Sequence, residues 1–211
     1  MGIQKKFLLS FLLFVGNQLI AQQIHFAQAL GVTATTSNVS GRASTGTDSL
    51  VINSDYQLRL RQFGIIYQVR AELMQWKSGS ISISSPVMIG YSVSGKYNSV
   101  DVSRGSSTKI DTVKGAHFAF EIPVMVDLNI GLHSAADESG SFGIYIGGGY
   151  TYNYTKIHTS VGVKPLDGFD PVLRAGIRMG NSWETRWGLA FTVRGRNEAS
   201  RTYGIQLLKE L

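Results

Sequence analysis

The stretch His117-Phe-Ala-Phe-Glu-Ile-Pro-Val-Met-Val-Asp-Leu-Asn-Ile-Gly-Leu132 decides the fold of this chain. Every even position in it is apolar, whereas the odd positions include His117, Glu121, Asp127 and Asn129. A period of two residues indicates a β-strand. At a rise of about 3.3 Å per residue the stretch reaches about 50 Å, which is longer than a usual globular strand and long enough to cross a bilayer.

The first twenty-one residues have the order of a secretory signal peptide. Lys5 and Lys6 precede the apolar run 7–15, and a polar break then leads to Ala21. The apolar run is far shorter than the about 20 residues that a spanning helix needs. We therefore interpret residues 1–21 as a signal peptide that is cleaved near Ala21, which leaves residues 22–211 as one exported domain.

The composition excludes several kinds of protein. The chain has no Cys, so it has neither a disulfide framework nor thiol chemistry. The formal charge is +6 and falls to +4 without Lys5 and Lys6, which is too mild to argue for a nucleic-acid partner. The 24 Gly, 10 Phe and 9 Tyr favour β-structure with tight turns.

Alternating segments of this kind recur along the chain. Eight can be drawn, at residues 24–35, 61–75, 80–93, 117–132, 142–154, 169–179, 187–194 and 202–211. Long polar segments, 36–60, 94–115 and 156–168, alternate with short turns at 76–79, 134–141 and 180–184. Long loops on one side and tight turns on the other are typical of an outer membrane barrel. The sequence thus predicts an all-β protein, an eight-stranded antiparallel up-and-down transmembrane β-barrel.

The polar face of these strands has an unusual set of charges. Its cations are almost all arginines, whereas a water-facing sheet ordinarily carries flexible lysines. The positive and negative charges nearly cancel, which suits a buried ion-pair network. We therefore expect a polar network in the barrel interior, formed by Arg70, Glu72, Glu121, Asp127, Arg174, Arg178, Arg186 and Arg194. Within this network, Glu121 and Asp127 should face arginines such as Arg70, Arg174 or Arg178. A soluble exported barrel or sandwich is the alternative, because alternation alone fits both classes.

Aromatic residues and prolines add two further expectations. Large aromatics collect near the strand ends, as two membrane interfaces would require. Those at the loop end are Phe63, Tyr91, Phe118, Tyr152, Tyr154, Phe169 and Tyr203, and those at the turn end are Trp76, Phe142, Trp183 and Trp187. Pro86 and Pro123 fall on the interior face, where proline removes a ladder hydrogen bond, so a bulge or an unpaired site is expected there.

Three short motifs resemble one known family. Phe120-Glu121-Ile122-Pro123-Val124, the glycine-rich 145–150 and the glycine-containing 169–180 are similar to strands of the Bacteroidetes-type outer membrane β-barrel proteins, the broad family that includes the PorT-like proteins. The resemblance spans most of the mature chain and implies an architecture rather than an activity. Many outer membrane barrels end in an aromatic residue, whereas this sequence ends in Leu211.

No catalytic, cofactor-binding or metal site emerges from the sequence. His117 and Glu121 are about 13 Å apart along one strand, which is too far for a direct dyad, and no G-x-S-x-G pattern is present. We therefore expect no enzyme and no cofactor.

Three functions stay open. The first is a structural or interaction role for a side-chain-filled outer membrane barrel of a Gram-negative bacterium, acting through its loops or periplasmic rim as an accessory to secretion or envelope assembly. Its expected partners are outer membrane lipid and an envelope protein. The second function is transport of a small solute, and the third is modification of a lipid.

Overall fold

The computed structural model describes residues 24–47, 50–101, 108–112, 116–132, 141–155, 166–180, 186–195 and 200–211. The predicted signal peptide, residues 1–21, lies outside these residues, as does Trp183. Within them, no helix is long and apolar enough to cross a membrane.

The described residues form nine β-strands. They are β1 (His25–Thr47), β2 (Leu50–Trp76), β3 (Gly79–Asp101), β4 (Thr108–Thr112), β5 (Ala116–Gly131), β6 (Phe142–Thr155), β7 (Leu166–Met179), β8 (Trp187–Arg194) and β9 (Ser200–Glu210). The alternating stretch 117–132 corresponds to β5, within one residue at each end.

The strands close into a barrel. The sheet order is β2-β1-β9-β8-β7-β6-β5-β3, every pairing is antiparallel, and β2 also pairs with β3. Closure satisfies both edges of all eight strands. The short β4 pairs with the far end of β3 and lies outside this ring. The predicted eight-stranded antiparallel up-and-down barrel is therefore confirmed.

The strands are strongly staggered around the ring. When register partners are followed from Arg61 of β2 through the seven other barrel strands, the path returns to β2 at Ala71. Ala71 lies ten residues nearer the turn end than Arg61. Such a stagger tilts the strands by about 40° relative to the barrel axis. A line at constant height therefore shifts by slightly more than one residue from each strand to the next.

The two faces of the wall have opposite chemistry. On β5 the even residues from Phe118 to Ile130 point outward, and the Val124 side chain is 59% exposed. Asp127 and Asn129 on the same strand point inward and are fully buried, with 0% exposure each. Large apolar side chains are thus on the outside of the barrel, and polar side chains fill the inside.

Two segments that the sequence predicts as loops are strands instead. Residues 36–60 belong largely to β1 and β2, which pair as far as Thr47 with Leu50, and residues 94–115 contain the end of β3 and all of β4. The loop prediction was wrong because it relied on apolar alternation. These Ser/Thr-rich segments lack a regular apolar alternation in the sequence, although their backbone still pairs.

Shortening the first hairpin tests this description. Residues 43–54 can be replaced by an Asn-Gly turn, because Arg42 and Asp55 are paired and a two-residue turn closes such a pair. We expect the shortened protein to fold, which a gel comparing unheated and boiled samples in detergent would show as a mobility shift.

The matched control for this excision is deletion of Ile66 alone. Loss of one residue within β2 moves every following side chain to the other face, so this variant should show no shift. A hairpin excision that abolished the shift would mean that the barrel needs the extension in order to fold.

Candidate functional site: the barrel interior

The interior side chains are arranged in three layers. On β2 the inward residues run from Gln62 through Ile66 to Gln68 and Arg70, and all four are buried. Strands β3, β5 and β7 repeat this order of polar, apolar and polar groups. The apolar middle layer comprises Ile66, Met88, Met125, Val172, Pro86 and Pro123. An eight-stranded barrel is just wide enough for side chains to fill, so these layers occupy the lumen.

Arg174 forms the centre of the turn-end layer. Its guanidinium donates hydrogen bonds to Gln68 Oε1 at 2.9 Å, Ser84 Oγ at 2.8 Å and Asp127 Oδ2 at 2.7 Å. The Ser84 hydroxyl also donates to Asp127 Oδ2. The side chains of Arg174 and Asp127 are both fully buried. Four strands, β2, β3, β5 and β7, are thus connected through one arginine.

A second arginine extends this layer toward the turns. Arg178 Nη2 donates to Asn129 Oδ1 at 2.8 Å, and Asn129 donates in turn to the hydroxyl of Ser82 at 2.9 Å. The Tyr145 ring lies beneath both guanidiniums, 5.1 Å from Arg174 Cζ and 4.4 Å from Arg178 Cζ. These distances are within the range of cation–π attraction.

Tyr145 fits there because residue 176 is glycine. A Cβ at Gly176 would stand 2.5 Å from Tyr145 Cζ, and a Cβ at Gly147 would stand 1.9 Å from Asp127 Oδ1. No side chain can be accommodated at these distances. The two glycines therefore create the space that the buried charges and the ring occupy.

Glu210 joins the turn-end layer to the last strand. Its Oε1 lies 3.2 Å from Arg178 Nε and 3.4 Å from Arg70 Nη1, and Arg70 Nη2 lies 3.3 Å from Glu72 Oε1. With Arg174 and Asp127, the layer contains three arginines and three carboxylates. The buried charges therefore balance, as a desolvated network requires.

The loop-end layer contains a separate ion pair. Arg194 pairs with Glu121 and donates to Thr202 Oγ1 at 3.3 Å. Beside it, Gln62 Nε2 donates to Thr155 Oγ1 at 2.8 Å and Gln62 Oε1 accepts from Thr35 at 3.0 Å. The Arg194–Glu121 and Gln62–Thr155 contacts join strands that are not neighbours, so they cross the lumen. The bonds to Thr202 and from Thr35 join neighbouring strands.

The structure places the predicted network residues in two clusters rather than one. Six, Arg70, Glu72, Asp127, Arg174, Arg178 and Arg186, lie at or near the turn end, and two, Glu121 and Arg194, lie near the loop end. Arg186 precedes β8, is partly buried and accepts a 3.2 Å hydrogen bond from the Glu210 amide on its carbonyl.

Two features differ from the sequence expectation or were missed by it. The sequence suggested Arg70, Arg174 or Arg178 as partners for Glu121, whereas the structure pairs Glu121 with Arg194. Sequence reasoning gave no role to Ser84 or to the ring of Tyr145. Their inward parity along the strand was the available signal, but neither residue carries a charge that would have drawn attention.

The chemistry of this interior is that of a rigid filling. Its carboxylates are paired with arginines, and its hydroxyl and amide groups connect strands to one another. Among the residues that the structure describes, no cluster of three or more His, Asp or Glu side chains could hold a metal ion.

One break interrupts the wall between β3 and β5. In this part of the chain no pairing occurs between Ser84 and Met88, although the register is the same on both sides. That register sets Pro86 directly opposite Pro123, with both side chains buried inside. Because proline has no N–H, two facing prolines remove two cross-strand hydrogen bonds at once. The expected unpaired site is confirmed, and it contains no bulge.

Ser85 compensates for part of the break. Its side chain is on the outward parity of β3, yet its hydroxyl donates a 2.7 Å hydrogen bond to the carbonyl oxygen of Pro123. That carbonyl would otherwise accept from the N–H of residue 86, which proline lacks. A side-chain hydroxyl therefore replaces a missing backbone donor.

Substitution of Arg174 tests the turn-end layer. Arg174→Met leaves Asp127 charged and buried without its partner, and we expect the free energy of unfolding in detergent to fall by about 3–5 kcal/mol. Urea titration followed by tryptophan fluorescence measures the change. Lys77→Met at the exposed turn is the control and should change it by less than about 0.5 kcal/mol. Equal effects of the two substitutions would contradict the central role of Arg174.

A double-mutant cycle tests the role of Ser85. Ser85→Ala should lower the free energy of unfolding by about 1–2 kcal/mol in the wild-type background, because it leaves a carbonyl unsatisfied. In the Pro86→Ala background the new N–H can bond to that carbonyl, so Ser85→Ala should cost almost nothing. The same cost in both backgrounds would show that the hydroxyl does not replace the backbone donor.

Comparison with known proteins gives a likeness in architecture alone. No protein-family model matches the chain, and no curated protein matches it. Among solved structures, the chain is similar to Ail, the attachment invasion locus protein of Yersinia pestis, in complex with the heparin analogue sucrose octasulfate. The match covers 89% of this chain and 97% of the Ail chain, with 9% sequence identity and a TM-score of 0.46. The barrel described above therefore rests on its own strand pairings.

Proposed function

We propose that this protein is an integral outer membrane β-barrel with a side-chain-filled interior and a structural or interaction role. Export by the predicted signal peptide, a Gram-negative outer membrane location and kinship with the Bacteroidetes-type barrels are parts of this proposal. The barrel acts through its loop-end hairpins or its turn-end rim, as an accessory to secretion or envelope assembly.

The observation that carries the proposal is the inverted distribution of polarity. Leu173 is 66% exposed on the outer wall, whereas Arg174, the next residue, is 1% exposed inside. A barrel in water would hide the leucine and expose the arginine. Hydrocarbon reverses this preference, because lipid accepts apolar side chains and excludes charges.

Aromatic residues at the two ends of the wall support the same proposal. At the loop end the rings of Phe120 and Tyr154 stack with centroids 5.3 Å apart, and Tyr152 and Phe169 lie 5.2 Å apart. At the turn end Lys209 Nζ lies 5.4 Å from the centroid of the Trp187 ring. Aromatic girdles with a cation beside them are typical of the two interfaces of a membrane barrel.

A filled lumen favours this role over solute transport. The Arg174 cluster connects four strands, and the Glu121–Arg194 pair crosses the lumen above it. A solute would have to break several charge-assisted hydrogen bonds in order to pass, and these are among the strongest in proteins. We also propose that the protein is not an enzyme.

Planar-bilayer recording tests the proposal. The purified protein should insert and show heat-dependent mobility on a gel, yet give no reproducible unitary conductance, because both polar layers close the lumen. Reproducible single channels would replace the interaction role by transport. Failure of the wild-type protein to insert into lipid at all would contradict the membrane barrel itself.

A pull-down addresses the interaction role. The intact protein and the variant with residues 43–54 replaced by Asn-Gly are each purified from native membranes. If the loop-end hairpin binds an envelope protein, that protein should be recovered with the intact protein and not with the variant. Recovery of no stoichiometric partner with either protein would contradict the interaction role and leave a purely structural one.

A further inference from the structure

The outer wall carries an arginine patch at its loop end. It consists of Arg59 and Arg61 on β2, Arg201 on β9 and Asn38 on β1 between them, and all four side chains are exposed. Two of the arginines, 142 residues apart in the sequence, pair with the same residue, since Asn38 is the register partner of both Arg59 and Arg201.

Strand geometry places the backbones of the three arginines close together. Neighbouring strands are about 4.8 Å apart, so the Cα atoms of Arg59 and Arg201 are separated by about 10 Å. Arg59 and Arg61 are two residues apart on one face, or about 7 Å. Arginine side chains are long enough to converge from these positions on one small anion above Asn38.

The patch borders the apolar band. In the next register row toward the turn end, Ala34 pairs with both Phe63 and Ile205, and these two outward side chains are 48% and 57% exposed. The wall therefore changes from apolar to cationic within two residues on β2 and within four residues on β9. In a membrane barrel this change marks the depth of the lipid headgroups.

The stagger of the barrel supports this height. Backbone pairing connects Arg61 to Tyr203 on β9. Because the strands are tilted, the β9 residue at the same height as Arg61 lies two to three positions nearer the loop end, at Arg201. On the other side, Arg61 pairs with Val93 of β3, and the tilt places Tyr91 at the height of Arg61. Tyr91 in turn pairs with Phe118 of β5. The patch is thus level with the aromatic residues on the rest of the wall.

Among the residues whose side chains the structure describes, an exposed carboxylate at this height lies on another part of the wall. Asp167, an exposed carboxylate on β7, is separated from β9 by the whole of β8. The β5–β6–β7 side of the rim carries Phe118, Tyr154 and Phe169 instead of cations. The rim is therefore cationic on one side and aromatic on the other.

We infer that the arginine patch binds the phosphate of an outer-leaflet lipid headgroup, an inference that rests on the proposed membrane-spanning function. Guanidinium recognises phosphate through paired, charge-assisted hydrogen bonds, and the apolar row beneath the patch receives the acyl chains of the same lipid. The lipid class is a phosphomonoester glycolipid or phospholipid, which offers more negative charge than a diester.

Binding of lipid A to the full-length protein in detergent micelles tests the inference, with native mass spectrometry as the readout. Arg59→Gln combined with Arg61→Gln should weaken binding by about thirtyfold, since each cation near an anionic headgroup contributes about 1 kcal/mol. Arg201→Gln alone should weaken it by about fivefold.

A second pair of cations provides a matched control. Lys77→Gln combined with Lys209→Gln removes the same charge at the turn end, and the affinity should stay close to that of the wild type. An equal loss of affinity in this control would show that the effect depends on net charge alone, and it would overturn the assignment. An unchanged affinity in the double arginine variant would overturn it as well.

Two further arms identify the source of the phosphate. Dephosphorylated lipid A should bind the wild-type protein as weakly as lipid A binds the double arginine variant. Millimolar inorganic phosphate should not displace bound lipid A, because it lacks acyl chains for the apolar row. Displacement by inorganic phosphate would show that the patch takes free anions rather than a lipid.

The gel assay separates this inference from the proposed function. If the double arginine variant inserts and shifts on heating but binds lipid A like the wild type, the patch assignment is wrong and the barrel stands. If the wild-type protein itself does not insert, the proposed function is wrong, and the lipid inference fails with it.

Discussion

The structure depends on the pairing of backbone amides and carbonyls around a closed ring of eight strands. A strand edge left open and buried would cost free energy for each unsatisfied group, and the β2–β3 pairing removes the last edge of the ring. The same constraint explains Ser85, whose hydroxyl serves the Pro123 carbonyl where two opposed prolines interrupt the ladder. The wall thus tolerates a fault because a side chain on the outward parity supplies the donor.

Closure with eight strands determines what the interior contains. The lumen is too narrow for a water-filled pore and wide enough for one set of side chains, so charged groups buried there must satisfy one another. Arg174 contacts Gln68, Ser84 and Asp127, and Gly176 and Gly147 leave room for Tyr145 and the Asp127 carboxylate. Polar layers toward both ends enclose an apolar middle, so side chains occupy the lumen.

The outer surface is less uniform than its apolar band suggests. Tilted strands bring residues from different register rows to one height, so Arg61 and Arg201 share the loop-end rim with Phe118 and Tyr91. One side of that rim is cationic and the other aromatic. The outer surface of the barrel therefore has two different sides, and the paired backbone of the β1–β2 and β3–β4 hairpins continues beyond this rim.

The sequence by itself determined the eight strands and which side chains of each strand point inward, because a period of two is a local property that each strand carries alone. It did not determine the hairpins of β1–β2 and β3–β4, where the sequence lacks a regular alternation although the backbone pairs. Only the tertiary structure decided that Glu121 meets Arg194, that Pro86 faces Pro123, and that Arg59 and Arg201 flank Asn38. These contacts follow from the stagger of the closed barrel. The stagger is a long-range property that depends on all eight strand registers together, so no single segment encodes it.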